Sequence, residues 1–241
     1  MTVVDRSPEE LRVCDLGTVP YGDALELQER LRALRQAGAL PDVLLLLEHP
    51  PVYTLGRRAQ EDELPFSEDF YRERGIEVAR CDRGGRITYH CPGQLVGYPI
   101  IAIDDVIAYV RGLEAALIAA LARAGVQAHA RAQDGPDYTG VWVGDRKIAS
   151  IGVHVQRGVT THGFAVNLTN DLEPFDWVVA CGLPGVRMTS LEHELAGGGA
   201  GDFRELVIDG FCEVFARVPT RVTAERLHSG SGVPSAEGVP A

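Results

Sequence analysis

The chain has 241 residues, 45% of them hydrophobic, and a formal net charge of −11. That length can bury the core of one domain, whereas the charge argues against nucleic acid or an anionic membrane as the main partner. No apolar run approaches a bilayer span, and the charged, proline-containing start does not read as a signal peptide, so a cytoplasmic protein is expected.

The five cysteines (Cys14, Cys81, Cys91, Cys181, Cys212) are odd in number and scattered. No pair has metal-knuckle spacing, which suits free thiols in a reducing compartment. Of the 23 basic residues only Lys147 is a lysine. Arginine keeps its proton at any accessible pH, whereas a lysine can lose it when buried. A lone amine in such a chain is therefore a candidate for proton chemistry, the plain alternative being one surviving surface lysine.

Residues 1–10 are polar and expected to be flexible. Val13–Leu16 marks a short first strand. Leu27, Leu31 and Leu34 recur at helical spacing from Asp23 onward, with Gly38 as the stop. Val43–Leu47 is a strand-length apolar run buried on both faces, and His49, at its end, reads as a structural histidine. Residues 61–75 suggest an acidic loop and a short helix, and Ile76–Arg80 a further strand. Asp104 is a plausible cap for a long scaffold helix from Asp105 to about Ala124. Three short strands follow, Thr139–Val143, Arg146–Gln156 and Thr161–Leu168, joined by turns at Gly144-Asp145 and Arg157-Gly158. Unbroken strand periodicity puts Lys147 on one face with Ala149 and Ile151, against an apolar surface. Desolvation of that kind favours a neutral amine. Cys181 ends the apolar run Trp177–Ala180 and begins a Gly-Pro-Gly loop, so its thiol is expected at the edge of an element; a buried, inert thiol is the alternative. Gly197–Gly201 reads as a linker, Asp202–Arg217 as a last amphipathic helix, and 229–241 as a disordered tail.

The densest chemistry lies in residues 83–99, RGGRITYHCPGQLVGYP. It is too rich in Gly and Pro for a core strand and too rich in polar aromatic rings for a plain loop. Adjacent glycines let backbone approach a ligand closely, so a substrate-lining loop and strand are expected. This stretch resembles the octanoyltransferases of lipoate synthesis, whose pattern is similar to RGG-x-x-TYH-x-PGQL-x-x-YP. EHPPVYTLG at 48–56 and ACGLPGV at 180–186 extend the resemblance over roughly residues 40–195. Cys91 departs from the pattern, which carries glycine there.

The resemblance implies a single α/β domain over 11–228, a mixed sheet flanked by helices like the catalytic domain of biotin and lipoate protein ligases. It implies that Cys181 attacks the octanoyl thioester of acyl carrier protein, with Lys147 as acid/base partner. The acyl group then passes to a specific lysine on the lipoyl domains of 2-oxoacid dehydrogenase E2 subunits or the glycine cleavage H protein. Neither cofactor nor metal is implied, and a monomer is expected. The acyl pocket would be lined by Arg83, Gly84, Gly85, Arg86, Ile87, Thr88, Tyr89 and His90, by Ser150, Ile151 and Gly152, and by Gly163, Phe164 and Ala165. Arg57, Arg58, Arg86 and Arg146 are expected to form a positive mouth for acidic protein partners. The rival readings are an ATP-dependent lipoate or biotin ligase, a metal module using Cys81, His90 and Cys91, and a non-catalytic adaptor of the carrier protein.

Overall fold

A computed structural model describes residues 9–197 and 201–228. Residues 1–8, the middle of the expected linker (198–200) and the expected tail from 229 lie outside the described residues. Glu9 and Glu10, expected to be flexible, instead begin the first strand, β1 (Glu9–Thr18). They are held by pairing with Arg217 and Val218 of β12 (Arg217–Arg221).

Helix α1 (Tyr21–Gln36) ends before Gly38, whose φ of +69° suits the stop read from the sequence. Its most buried side chains are Tyr21, Ala24, Gln28 and Leu31, so the buried face is rotated from the leucine stripe. The apolar run becomes β2 (Asp42–Glu48), buried on both faces. Next come β3 (Val52–Leu55), helix α2 (Glu68–Glu73), β4 (Glu77–Arg80), β5 (Ile87–His90) and β6 (Gln94–Ile100). Helix α3 (Val106–Arg123) is capped by Asp105 rather than Asp104, because the Asp105 carboxylate accepts from the amides of Ile107 and Ala108. After it run β7 (His129–Ala130), β8 (Gly140–Val143), β9 (Arg146–Gln156), β10 (Val159–Asn167) and β11 (Arg187–Met188). Three helices complete the order: α4 (Leu191–Glu194), α5 (Phe203–Phe215) and, after β12, α6 (Ala224–His228).

Among the described residues the strands form a nine-stranded mixed sheet in the order β12-β1-β2-β6-β10-β9-β8-β7, with β11 added beside β9. A small sheet, β4-β3-β5, stands apart. Strand alternation divides the core. Leu44, Leu46, Val141, Ala149, Phe164 and Val166 face α3 and α5. Val43, Leu45, Leu47, Val96, Tyr98 and Ala165 face α1 and α6. A third cluster, built on Tyr53, Ile87, Tyr89, Phe175 and Ala180, binds the small sheet to the segment that carries Cys181. The result is one α/β domain with a cleft between the two sheets.

Candidate active site

Lys147 owes its position to an irregularity. Val141 pairs with Ala149, but the next residue, Trp142, pairs with Lys147, so Ile148 is an extra residue on β9. Consecutive residues of β8 point to opposite faces. The expectation that Lys147 shares a face with Ala149 and Ile151 is therefore wrong. Ala149 turns into the α3 core and Ile151 packs against that core at the cleft's border, while Lys147 turns with Ser150 into the cleft. Only 2% of Lys147 is exposed, and its Nζ lies 5.4 Å from the Trp142 ring centroid. Its carbonyl is fixed by the Thr189 amide at 3.0 Å, beside β11.

Cys181 lies in a tight turn, Ala180–Gly182, at an element's edge as expected. Its φ is +59°, a left-handed conformation that costs a non-glycine residue on the order of 1–2 kcal/mol. The turn is tied down from below. The Val179 amide donates to the Glu63 carbonyl at 3.0 Å, and the Glu63 carboxylate receives Arg86 Nη1 at 2.5 Å. Arg86 in turn lies against Gly182, where a Cβ would overlap its Cδ and Nε. Held this way, Cys181 Sγ accepts a hydrogen bond from Lys147 Nζ at 3.1 Å and stands 3.9 Å from Ser150 Oγ.

The cleft encloses about 600 Å³, its open mouth included. Lys147 and Cys181 line it together with Arg83, Gly85, Arg86, Ile87, Thr88, His90, Ser150, Ile151, Gly152, Gly163, Phe164 and Ala165. Gly84 and Tyr89 do not. Tyr89 follows the alternation of β5 to the opposite face from Thr88 and His90, where it packs on Tyr53 and Phe175. Gly84 faces the sheet: its amide donates to the Val153 carbonyl at 2.8 Å, and a Cβ on Gly152 would come within 2.9 Å of its carbonyl oxygen. Gly152 pairs with Gly163 across β9 and β10, which leaves a stretch of cleft floor without side chains.

The inner end is polar yet mostly self-satisfied. Arg83, 7% exposed, donates through Nε and Nη2 to Thr54 Oγ1 at 3.2 and 2.8 Å. His90 Nδ1 donates to Gln94 Oε1 at 2.8 Å, and the Gln94 amide nitrogen donates to the Tyr89 carbonyl and Asn167. His49 Nδ1 donates to the Val19 carbonyl, so its Nε2 accepts from the Tyr98 hydroxyl at 2.8 Å. His49 is thus structural, as read from the sequence. Burial, reinforced by His49, holds His90 well below the usual histidine range. Burial also lowers His49 and His162, the latter against the opposing pull of Asp82. The His162 hydrogen bond takes Asp82 down to about 2.

Cys91 is buried in the aromatic cluster on the other side of β5 from His90, and burial pushes its thiol up to about 11. It does not occupy a left-handed position, so nothing local demands the glycine of the family pattern. Cys14 and Cys212 are likewise pushed up to about 11 by burial. Among the described residues no three His, Cys, Asp or Glu side chains converge as a metal site.

The mouth is not the positive patch expected. Arg58 pairs with Asp137 at 2.9 Å, Arg86 with Glu63, and Arg146 with Glu194 at 3.0 Å. Of the four arginines only Arg58 and Arg86 line the cleft, and both are paired with carboxylates, so its rim is of mixed charge.

A family model described as the lipoyl protein ligase A/B catalytic domain matches residues 20–216. An octanoyltransferase from Rubrobacter xylanophilus is 48% identical over 204 residues, covering 82% of this chain and 90% of the relative. Another, from Acidothermus cellulolyticus, is 45% identical over 223 residues, covering 86% and 96%. The chain belongs to the octanoyltransferase family. The fold recurs in a lipoate-protein ligase A solved with ATP, at a TM-score of 0.75 and 21% identity over 92% of both chains. It recurs also in Ta0514 of T. acidophilum with bound lipoic acid, at a TM-score of 0.74, 22% identity and the same coverage.

In this octanoyltransferase, sequence reading missed several cleft residues: Tyr21, Tyr98 and His162 inside, and Pro136, Asp137 and Thr139 at the rim, where Arg58 stands as expected. Tyr98 lay within the stretch read as substrate-lining and could have been found there. Tyr21 comes from α1, far from any motif in sequence, whereas His162 directly precedes the expected lining segment Gly163–Ala165 on β10. Asp137 lay in a segment read only as a turn.

Proposed function

We propose that this octanoyltransferase moves an octanoyl group from acyl carrier protein to a lysine of lipoyl domains, through an acyl thioester on Cys181. The acceptors would be the lipoyl domains of 2-oxoacid dehydrogenase E2 subunits and the glycine cleavage H protein. The observation that carries the reading is the 3.1 Å hydrogen bond from the chain's one lysine to a thiol at the mouth of a cleft with a narrow, glycine-paired floor.

The chemistry follows from that contact. Lys147 Nζ receives the thiol proton, and the thiolate attacks the thioester carbonyl. The tetrahedral adduct collapses, the carrier's thiolate leaves, and it takes the proton back from Lys147. One thioester replaces another, so this half-reaction is nearly balanced. The acceptor's ε-amine then attacks the acyl-cysteine, Lys147 takes the amine's proton, and Cys181 departs as thiolate. An amide is more stable than a thioester, so transfer runs downhill without ATP. The small-residue floor suits an alkyl chain. The turn at Cys181 presents the sulfur in a strained conformation, a common condition of reacting groups.

Intact mass after mixing with octanoyl-acyl carrier protein, without ATP, tests the reading. The expected result is one added octanoyl group on the wild type, released by hydroxylamine and absent from Cys181→Ser. Acceptor octanoylation only with ATP and free octanoate would overturn it in favour of a ligase.

A further inference from the structure

Helix α3 is built from Ala, Leu, Ile and Val, yet it carries a carboxylate, Glu114, that is only 1% exposed. Burying a carboxylate is costly unless its oxygens are met, so its two partners define what it does. Arg111, one turn earlier on the same helix and half in solvent, meets Oε2. Oε1 reaches across to the sheet and accepts the amide of Gly140 at 3.0 Å.

Gly140 is where Lys147 is shaped. Its φ is +135°, which only glycine adopts readily. A Cβ there would stand 2.7 Å from Lys147 Cε and would also overlap the Ala149 carbonyl oxygen. The lysine stem therefore runs over a bare Cα. Gly140 also opens β8 and pairs with Ser150, one residue before the register slips at Ile148. The peptide that Glu114 grips on the helix side thus borders both the irregularity that turns Lys147 into the cleft and the surface on which its stem lies.

We infer that Glu114 is a positioning residue for Lys147: through the Gly140 amide, its carboxylate sets where the lysine stem lies and hence how Nζ meets Cys181. This rests on the proposal that Lys147 and Cys181 are the reacting pair. Reach, not charge, does the positioning, which separates two conservative variants. Glu114→Gln keeps an oxygen at the same distance from Gly140 without the charge, and Glu114→Asp keeps the charge but withdraws the oxygen by one methylene.

The test measures kcat and KM for octanoyl transfer, with the acyl-enzyme rate followed by mass. Misplacement on the ångström scale costs roughly tenfold to a hundredfold in rate. Glu114→Asp should lose that much in kcat and in acylation rate, with KM for the acyl-carrier protein within about twofold. Glu114→Gln should stay within about threefold on all counts. Gly140→Ala, whose added Cβ would strike the lysine stem directly, should show the Asp variant's signature with Glu114 intact, and a wild-type kcat there also overturns the inference. A wild-type kcat in Glu114→Asp, or an equal loss in the Gln and Asp variants, overturns the inference. Failure of the underlying reading looks different: Cys181→Ser would still acquire the acyl group, or Lys147→Met would transfer at the wild-type rate.

Discussion

The two ends of the cleft are built on opposite principles. At the outer end the buried Lys147 and Glu63 meet Cys181, Arg58, Arg86 and Asp137, which are partly in contact with water, so that thiol, amine, guanidinium and carboxylate groups come together. At the inner end Tyr98, His90 and Arg83 are bound to the protein's own acceptors and donors, and the histidines are held neutral by burial. In the proposed reaction the first end would move protons and meet the protein partners. The other spends its polarity internally, and so offers little that an alkyl chain would have to strip of water. On the proposed reading, the difference means that space for an alkyl chain need not be lined by apolar residues; it needs polar residues most of whose partners are already supplied.

The largest expected effect breaks the outer end. Gly182→Ala inserts a Cβ where Arg86 lies, at a φ of +68°, and should lower the rate of acyl-enzyme formation roughly a hundredfold. The left-handed φ and the contact with Arg86 should also lower stability, by about 1–2 kcal/mol in denaturant titration. Wild-type acylation would mean that the turn's geometry does not govern the thiol. At the inner end, Thr54→Val deprives the buried Arg83 guanidinium of the oxygen that meets two of its nitrogens. Denaturant titration should show a loss of about 2 kcal/mol, while the acyl adduct still forms at Cys181. No loss of stability would mean that the guanidinium finds other partners and the inner end is less closed than described.

The smallest effect is in pH. His49, His90 and His162 are all held below an unfolded value of about 6.5. The unfolded chain therefore takes up protons first as the pH falls, so stability is full above about pH 6.5 and declines below it. Asp82 adds a second loss between its ordinary 3.8 and about 2. Melting temperatures between pH 7.5 and 5 should fall, and less steeply in His90→Gln. A flat profile would contradict neutral burial at the inner end.

Much of this was legible in the chain itself. Periodicity marks β2, α3 and β9, and the two hairpin turns fall where Gly144-Asp145 and Arg157-Gly158 stand. The wording of residues 83–99 and 180–186 points to the cleft from both sides. The exceptions have physical causes. A pattern of alternate residues cannot show where the alternation breaks, so Lys147 was placed on the wrong face. Tyr89 was grouped with its neighbours because a motif names consecutive residues, whereas a strand sorts them into two sets. Arg58, Arg86 and Arg146 were counted as charge, but their effect depends on Asp137, Glu63 and Glu194, which approach from other segments.

The extra residue at Ile148 makes the lysine's direction a matter of parity. Because Ile148 is bulged out of the pairing, the amine faces the thiol; if Ile148 took its place in the ladder, Lys147 would share Ala149's face and point to the helices. Drawing Ile148 into a regular ladder would leave the composition of the strand unchanged while exchanging inside for outside at the one lysine this chain possesses. A regular strand carrying the same side chains would lack the site, so transplanting this pair into another sheet means transplanting the miscount as well.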